Sequence, residues 1–546
     1  MEQITIALVL LLAVVLSGIL ARLSPLPVPV PLVQIGLGAV IGLFSDVAVA
    51  LDPHVFFLLF LPPLLFLDGW RIPKEGLLRD KGTIVELALG LVVFTVLGVG
   101  LFIHWLIPGM PLPVAFALAA IVSPTDPIAV SAIAKRVPIP KRLMHILEGE
   151  SLLNDASGLV CMQFAVAAAL TGTFEPGLAF LTFLQLAVGG IAIGIGVTKA
   201  VITAKNYISR RLGEETGSQI LTSLLIPFAA YLLAEHLQCS GILAAVAAGI
   251  TMSYSEQSGQ ALAVTRVRRT AVWDTVQFSL NGIIFVLLGE QFPSIAAGAA
   301  QVVRETGHHE PAWLIIYVLA INAALALLRL AWVWVSFRFT MFREARKGRT
   351  IRKPGWRLLV ATSVAGVRGA ITLAGVLTLP LALGDGTPFP ARELAIFLAA
   401  GVIIVSLVAA SIGLPLLLEG LELPPESDGN EQEDRARLAA AEAAIKAIEE
   451  EQHAMGAGTH DEDLYADIAT RVMEGYRYRI EGSMKIGEEA EQLRKADGIE
   501  KALRLAGIRA ERDEIYRLGR AGSLSDVAVR KIVREMDLLE ARYTSV

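Results

Sequence analysis

Charge is scarce in this 546-residue chain. Only 18% of its residues are Asp, Glu, Lys or Arg, against roughly a quarter in ordinary soluble domains. Hydrophobic residues make up 54%, and mean hydropathy is +0.60. This argues against a soluble enzyme and makes lipid the main solvent of the chain. Cysteine is scarcer still. Cys161 and Cys239 lie in apolar segments, with no disulfide framework or zinc-ligand spacing. The histidines of the apolar region, His104, His145 and His236, are scattered, which argues against a metal-dependent membrane enzyme. No nucleotide loop is present. The absence of a repeated filter motif argues against an ion channel. The N-terminus lacks the basic region and small-residue cleavage site of a signal peptide, so the run from Ile4 reads as a retained membrane helix.

What is present divides in two. Residues 421–546 hold 19 basic and 28 acidic residues, against 28 and 24 in residues 1–420. The first part is apolar. The second is an acidic tail with helical patterns over 431–451, 484–520 and 524–541, and Gly456-Ala457-Gly458 is expected to break the first of them. Windows of about 20 apolar residues give thirteen candidate spans: 4–21, 28–45, 54–70, 83–107, 112–134, 143–171, 176–201, 216–236, 239–254, 273–292, 312–336, 357–382 and 391–418. Alternating the loops between two sides puts 24 of the 28 basic residues on one side. Arg304 and Arg392 fall on the other, and Arg329 and Arg368 lie inside spans. The positive-inside rule then places the N-terminus outside and the tail in the cytoplasm.

Charges inside spans cost at least ~2.5–3.5 kcal/mol each at a helix centre, so they mark function by default. The fifth span carries Ser123-Pro124-Thr125-Asp126-Pro127, the sixth Glu150-Ser151-Leu152-Leu153-Asn154-Asp155, the twelfth Gly366-Val367-Arg368-Gly369, and the third ends near Asp68. At ~1.5 Å rise per residue, Asp155 lies about 20 Å, Asp126 about 14 Å and Arg368 about 17 Å from the inner edge. All three therefore reach the middle of a core about 30 Å thick. Pro124 and Pro127 predict an unwound helix beside Asp126, tolerated in a membrane only where it lines a cavity or is buried in protein. Gly366, Gly369 and Gly375 suggest a second interruption around Arg368. Ser151 and Asp155 share a helix face. Glu150 points about 140° away from Asp155, so the two carboxylates are expected to do different work. One division has Glu150 neutralising Arg368, leaving Asp155 as the exchangeable site, because a buried arginine needs an answering acid.

The stretches Ser-Pro-Thr-Asp-Pro (123–127), Gly-Glu-Ser-Leu-Leu-Asn-Asp (149–155) and Gly-Val-Arg-Gly-Ala (366–370), with Leu61-Pro62-Pro63 before Asp68, resemble the cation:proton antiporter 1 family, bacterial-type Na⁺/H⁺ antiporters with an Asn-Asp pair. The resemblance covers residues 1–420. It implies an all-α polytopic membrane protein of about thirteen helices in two inverted repeats, with crossed, unwound helices and a helical cytoplasmic tail at 421–546. A core subdomain would move against a dimerisation subdomain. Asp155 matches the ion- and proton-binding aspartate, with Asn154, Ser151, Asp126, Thr125 and Asp68 around it. Na⁺ is expected at Asp155, Ser151 and Thr125, and Glu150 and Arg368 match a structural ion pair. Asn154, in place of a second aspartate, implies one-for-one exchange.

The expected activity is Na⁺/H⁺ antiport, with Li⁺ and K⁺ as further candidate cations, by alternating access in the cell membrane, with H⁺ and the cation competing for Asp155. A K⁺/H⁺ exchanger on the same scaffold is the alternative. No cofactor and no nucleic acid are expected, and the partners are the bilayer and a second copy of the chain. Glu86, Glu235, Asp274 and Glu290 read as interfacial, Gln277 and Asn281 as deeper on one helix face, Arg329 as snorkelling at an inner helix end, and His145 as a surface residue.

Overall fold

In a computed structural model the chain forms two compact units, Met1–Leu421 and Glu422–Val546. Residues 2–24, 28–44, 53–71, 82, 86–126, 130, 141–172, 176–256, 262–305, 312–346, 355–383, 386–419, 427–456, 462–484, 488–521 and 523–544 are described.

The described elements of the first unit are helical, as lipid requires of backbone groups that have no water to bond. They are α1 (Glu2–Leu23), α2 (Val30–Phe44), α3 (Pro53–Arg71), a π turn (Glu86–Leu91) leading into α4 (Val92–Leu106), α5 (Leu112–Val122), α6 (Lys141–Thr171), α7 (Pro176–Leu212), α8 (Thr216–His236), α9 (Gly241–Glu256), α10 (Ala263–Glu305), α11 (Ala312–Arg346), α12 (Trp356–Val364), α13 (Ala370–Leu377) and α14 (Arg392–Leu418). Among the described residues seven helices are long and apolar enough to cross a membrane. Shorter apolar helices, Val30–Phe44, Leu112–Val122 and Ser157–Thr171, add to them.

Two expected interruptions are present, and one span departs from its expected length. In the fifth span α5 ends at Val122, and the twelfth is two short helices, α12 and α13, separated by residues 365–369. Both interruptions fall where Pro124 and the 366–369 segment place them, although Gly375 lies inside α13. The tenth span is longer than expected. At 43 residues α10 absorbs Arg266, Arg268 and Arg269, which had read as a loop. Arg269 is buried there, paired with Glu256 and stacked 5.5 Å over the ring of Trp70. Of the other basic loop positions, Lys74, Arg79, Lys81, Lys135, Arg136, Lys347, Arg349, Arg352 and Lys353 lie outside the described residues, as does Pro127.

Close helix contacts depend on missing side chains. Helices α2 and α10 lie along each other. A Cβ on Gly38 would overlap the backbone of Val286, and one on Gly289 would overlap that of Ile35. Small residues let membrane helices gain dispersion contact that lipid alone does not drive. This pairing holds α10 beside α3, the helix that carries Asp68.

The second unit contains α15 (Ser427–Gly456), α16 (Glu462–Met484), α17 (Glu488–Arg520) and α18 (Asp526–Thr544). Helix α15 does end at Gly456. Helix α16 was not anticipated, although Tyr465, Ala469, Met473 and Tyr476 carry its half-buried and buried stripe at helical spacing. Arg512 of α17 bonds Asp537 and Glu540 of α18.

Candidate functional site

The two interrupted helices meet at their breaks. Pro124 has no N–H to continue the ladder of α5. The chain from Ser123 to Asp126 therefore runs on without helix, and the backbone N–H of Asp126 donates instead to the carbonyl of Val367, 2.7 Å away in the other break. Each break supplies a hydrogen-bond partner that the other lost.

Arg368 stands at this crossing, 5% exposed. Its Nε donates to the carbonyl of Val122, the last residue of α5, at 2.9 Å. Its Nη1 donates to the carbonyl of Gly366, just past the end of α12. Helix C-termini carry partial negative charge and unpaired carbonyls, so one guanidinium here answers two of them. Its backbone N–H is taken by Ser406 of α14 at 3.2 Å.

The expected ion pair between Glu150 and Arg368 is replaced by another. Glu150, 1% exposed, is bound by Arg329 of α11 through Nη1 at 2.5 Å and Nη2 at 2.9 Å. Arg329 does not snorkel. It is 3% exposed, and its Nε donates to the carbonyl of Thr362 at 3.2 Å. The bidentate fork suits a buried carboxylate, which needs both charge and hydrogen bonds answered. Arg368 has carbonyl hydrogen-bond partners instead.

A short polar chain leads inward from Glu150. Thr125 Oγ1 donates to Glu150 Oε1 at 3.4 Å, and Asn154 Nδ2 donates to Thr125 Oγ1 at 3.1 Å. This chain stands behind the wall of a cavity of about 30 Å³. Leu64, Asp68, Asp126, Ser151, Asp155, Gln277, Asn281 and residues 369–372 form the wall. Of the expected site residues, Asp68, Asp126, Ser151 and Asp155 face the cavity together. Thr125 and Asn154 hold the layer behind, and Thr125 gives its hydroxyl to Glu150 rather than to the cavity. Glu150 anchors that layer through Thr125, and Arg368 is held by the carbonyls at the crossing.

Gly369 brings Asp126 into place. A Cβ there would overlap the Asp126 carboxylate. Residues 369–372, the start of α13, form one wall. Their N–H groups begin a helix and favour negative charge in front of them.

Gln277 and Asn281 on α10 also face the cavity. Their four-residue spacing on the deeper face of the tenth span was the available signal. Glu290, expected at the interface, is buried. The side chain of His145 lies outside the described residues. Chemically, the wall offers carboxylate, hydroxyl and amide oxygens, the donor set that suits hard cations.

The transmembrane sodium/hydrogen exchanger family model matches residues 9–420. The uncharacterized Na⁺/H⁺ exchanger YjcE of Escherichia coli (strain K12) is 41% identical over 548 residues, 99% of both chains. A sodium, potassium, lithium and rubidium/H⁺ antiporter of Bacillus pumilus (strain SAFR-032) is 38% identical over 548 residues, covering 100% of this chain and 78% of that one. The solved structure of the sodium proton antiporter MjNhaP1 from Methanocaldococcus jannaschii at pH 8 shares the fold, with TM-score 0.57 and 17% identity, over 77% of this chain and 99% of that one. The chain belongs to the sodium/hydrogen exchanger family, whose members are membrane-embedded secondary transporters and not enzymes.

Proposed function

We propose that this antiporter exchanges Na⁺ for H⁺, one for one, by alternating access, with Asp155 holding either occupant in turn. The observation that carries the reading is the cavity itself. It brings Asp155 and Ser151 of α6 together with Asp126 at the crossed breaks and Asp68 of α3. A carboxylate that holds a proton or a cation, but not both, is sufficient for coupling. Ser151, one turn before Asp155, adds an oxygen on the same face. Asp126 and Asp68 add negative charge to the same cavity, and Thr125 and Asn154 support the wall through their hydrogen bond. Glu150 with Arg329, and Arg368 with its carbonyls, are structural.

A wider cation range is the second reading. It is favoured by the Bacillus relatives, which are sodium, potassium, lithium and rubidium/H⁺ antiporters. Residues 1–420 are the transmembrane part, with a core that moves against a dimerisation part, and residues 421–546 are a cytoplasmic tail. The N-terminus is outside, the membrane is the plasma membrane, and the working form is a homodimer.

The test is a pH-dye assay in proteoliposomes to which Na⁺, Li⁺ or K⁺ is added, with and without a clamped potential. Cation-driven dequenching that ignores the potential is expected. Asp155→Asn should insert normally and give no dequenching. Wild-type exchange in that variant sinks the assignment, and dependence on potential sinks the one-for-one stoichiometry.

A further inference from the structure

The cavity has a cation of its own at its edge. Arg71 ends α3, three residues after Asp68. Residues so spaced lie on neighbouring positions of a helix face, roughly 5–6 Å apart at Cβ, well within the reach of an arginine side chain. Yet the Arg71 guanidinium is turned to α10. Its Nη1 donates to Gln277 Oε1 at 2.7 Å, and its Nη2 pairs with Asp274.

Asp274, Gln277 and Asn281 follow one another at spacings of three and four along α10 and so share a face. Gln277 and Asn281 line the cavity. Asp274, 59% exposed, stands at the open end of the row, and Arg71 beside it is 39% exposed. One polar stripe thus runs from the exposed Asp274 to the cavity, and Arg71 is tied across it at its exposed end.

We infer that Asp274 and Gln277 are positioning residues that hold Arg71 away from Asp68 and so keep the cavity available to the transported cation. The inference rests on the antiport reading of that cavity. The electrostatics favour this role. Asp68, Asp126 and Asp155 gather negative charge around a space of about 30 Å³. A released guanidinium one turn away is drawn to the nearest of them, Asp68, and competes with the incoming ion. Arginine stays charged at any physiological pH, so no proton release can remove this competitor. Only a counter-anchor can, and Asp274 supplies the opposing charge while Gln277 supplies the acceptor that fixes the direction.

The test compares apparent KM for Na⁺ and maximal exchange rate in proteoliposomes of the full chain. Asp274→Asn should raise KM about fivefold, the effect of one solvent-screened charge pair, with maximal rate near wild type. Asp274→Glu should keep the wild-type KM. Arg71→Gln combined with Asp274→Asn should return KM to the wild-type value, because the competitor is gone. Unchanged KM in Asp274→Asn overturns the inference. So does a double variant as impaired as the single one, which would make Asp274 a direct attractor of cations. So does a lower maximal rate at constant KM, the mark of a merely structural contact. Failure of the wild type to exchange any cation overturns the antiport reading instead.

Discussion

Glu150 and Arg329 stand 179 positions apart in sequence and form a buried bidentate pair, with contacts of 2.5 Å and 2.9 Å. The pair ties α6, which carries Asp155, to α11. It lets Glu150 sit five residues before the site aspartate without adding a free charge to the cavity.

Removing one partner leaves the other charge buried and unanswered, which costs about 3–5 kcal/mol. Arg329→Met and Glu150→Leu are each expected to lower the melting temperature in detergent and the yield of folded protein. Arg329→Lys should recover only part, because an ammonium lacks the planar fork. The double change to Met and Leu should be milder than the sum of the singles. Fully additive losses in a thermal-shift series would show that the two side chains do not act as a pair.

Gly369 is expected to tolerate no side chain. A Cβ there overlaps the Asp126 carboxylate, and overpacking of this kind costs about 1–3 kcal/mol. Gly369→Ala should therefore displace Asp126 and strongly reduce Na⁺-driven proton exchange, while Gly375→Ala, inside α13, should retain more of it. The pair is compared by dye dequenching at matched protein density. Equal activity of the two variants would separate Gly369 from the site.

In the second unit, Arg512 holds the Glu540 carboxyl below its ordinary value of 4.5, chiefly through their hydrogen bond. A carboxyl depressed in the folded state stabilises above its unfolded pKa and loses that contribution as pH falls through the folded one. Contact between α17 and α18 should be fully supported near neutrality and weaken progressively below about pH 4.5. Hydrogen-exchange protection of Asp526–Thr544, corrected for intrinsic rates, should fall on acidification in the wild type. It should already be lower at pH 7 in Arg512→Gln. A pH profile identical in the two proteins would rule out this linkage.

Much of the site was legible along the chain, because a midplane charge in lipid is costly enough to be kept only with a reason. Asp126, Ser151 and Asp155 were readable from depth and from the proline break, and they do meet at one cavity. The pairing of the arginines was not readable. Arg329 looked like a helix-end residue because the span was expected to stop near position 336. In fact α11 runs to Arg346, 17 residues beyond it. Depth along one helix also says nothing of which helix lies across from it. The partners of Thr125 were equally unreadable: its hydroxyl accepts from Asn154 and donates to Glu150.

Sequence alone determined the solvent, the helical class, the two-part organisation of charge and the residues worth suspecting. All of these follow from local cost: apolar length, proline chemistry and the price of a charge in lipid. Tertiary structure decided the partners. It gave Glu150 to Arg329, gave Arg368 to the carbonyl ends of α5 and α12, and set Gln277 and Asn281 of α10 around one cavity with Asp155. Those choices depend on which helices cross and how closely. That is fixed by contacts such as Gly38 with Val286 and Gly369 with Asp126, between residues whose spacing along the chain carries no record of their meeting.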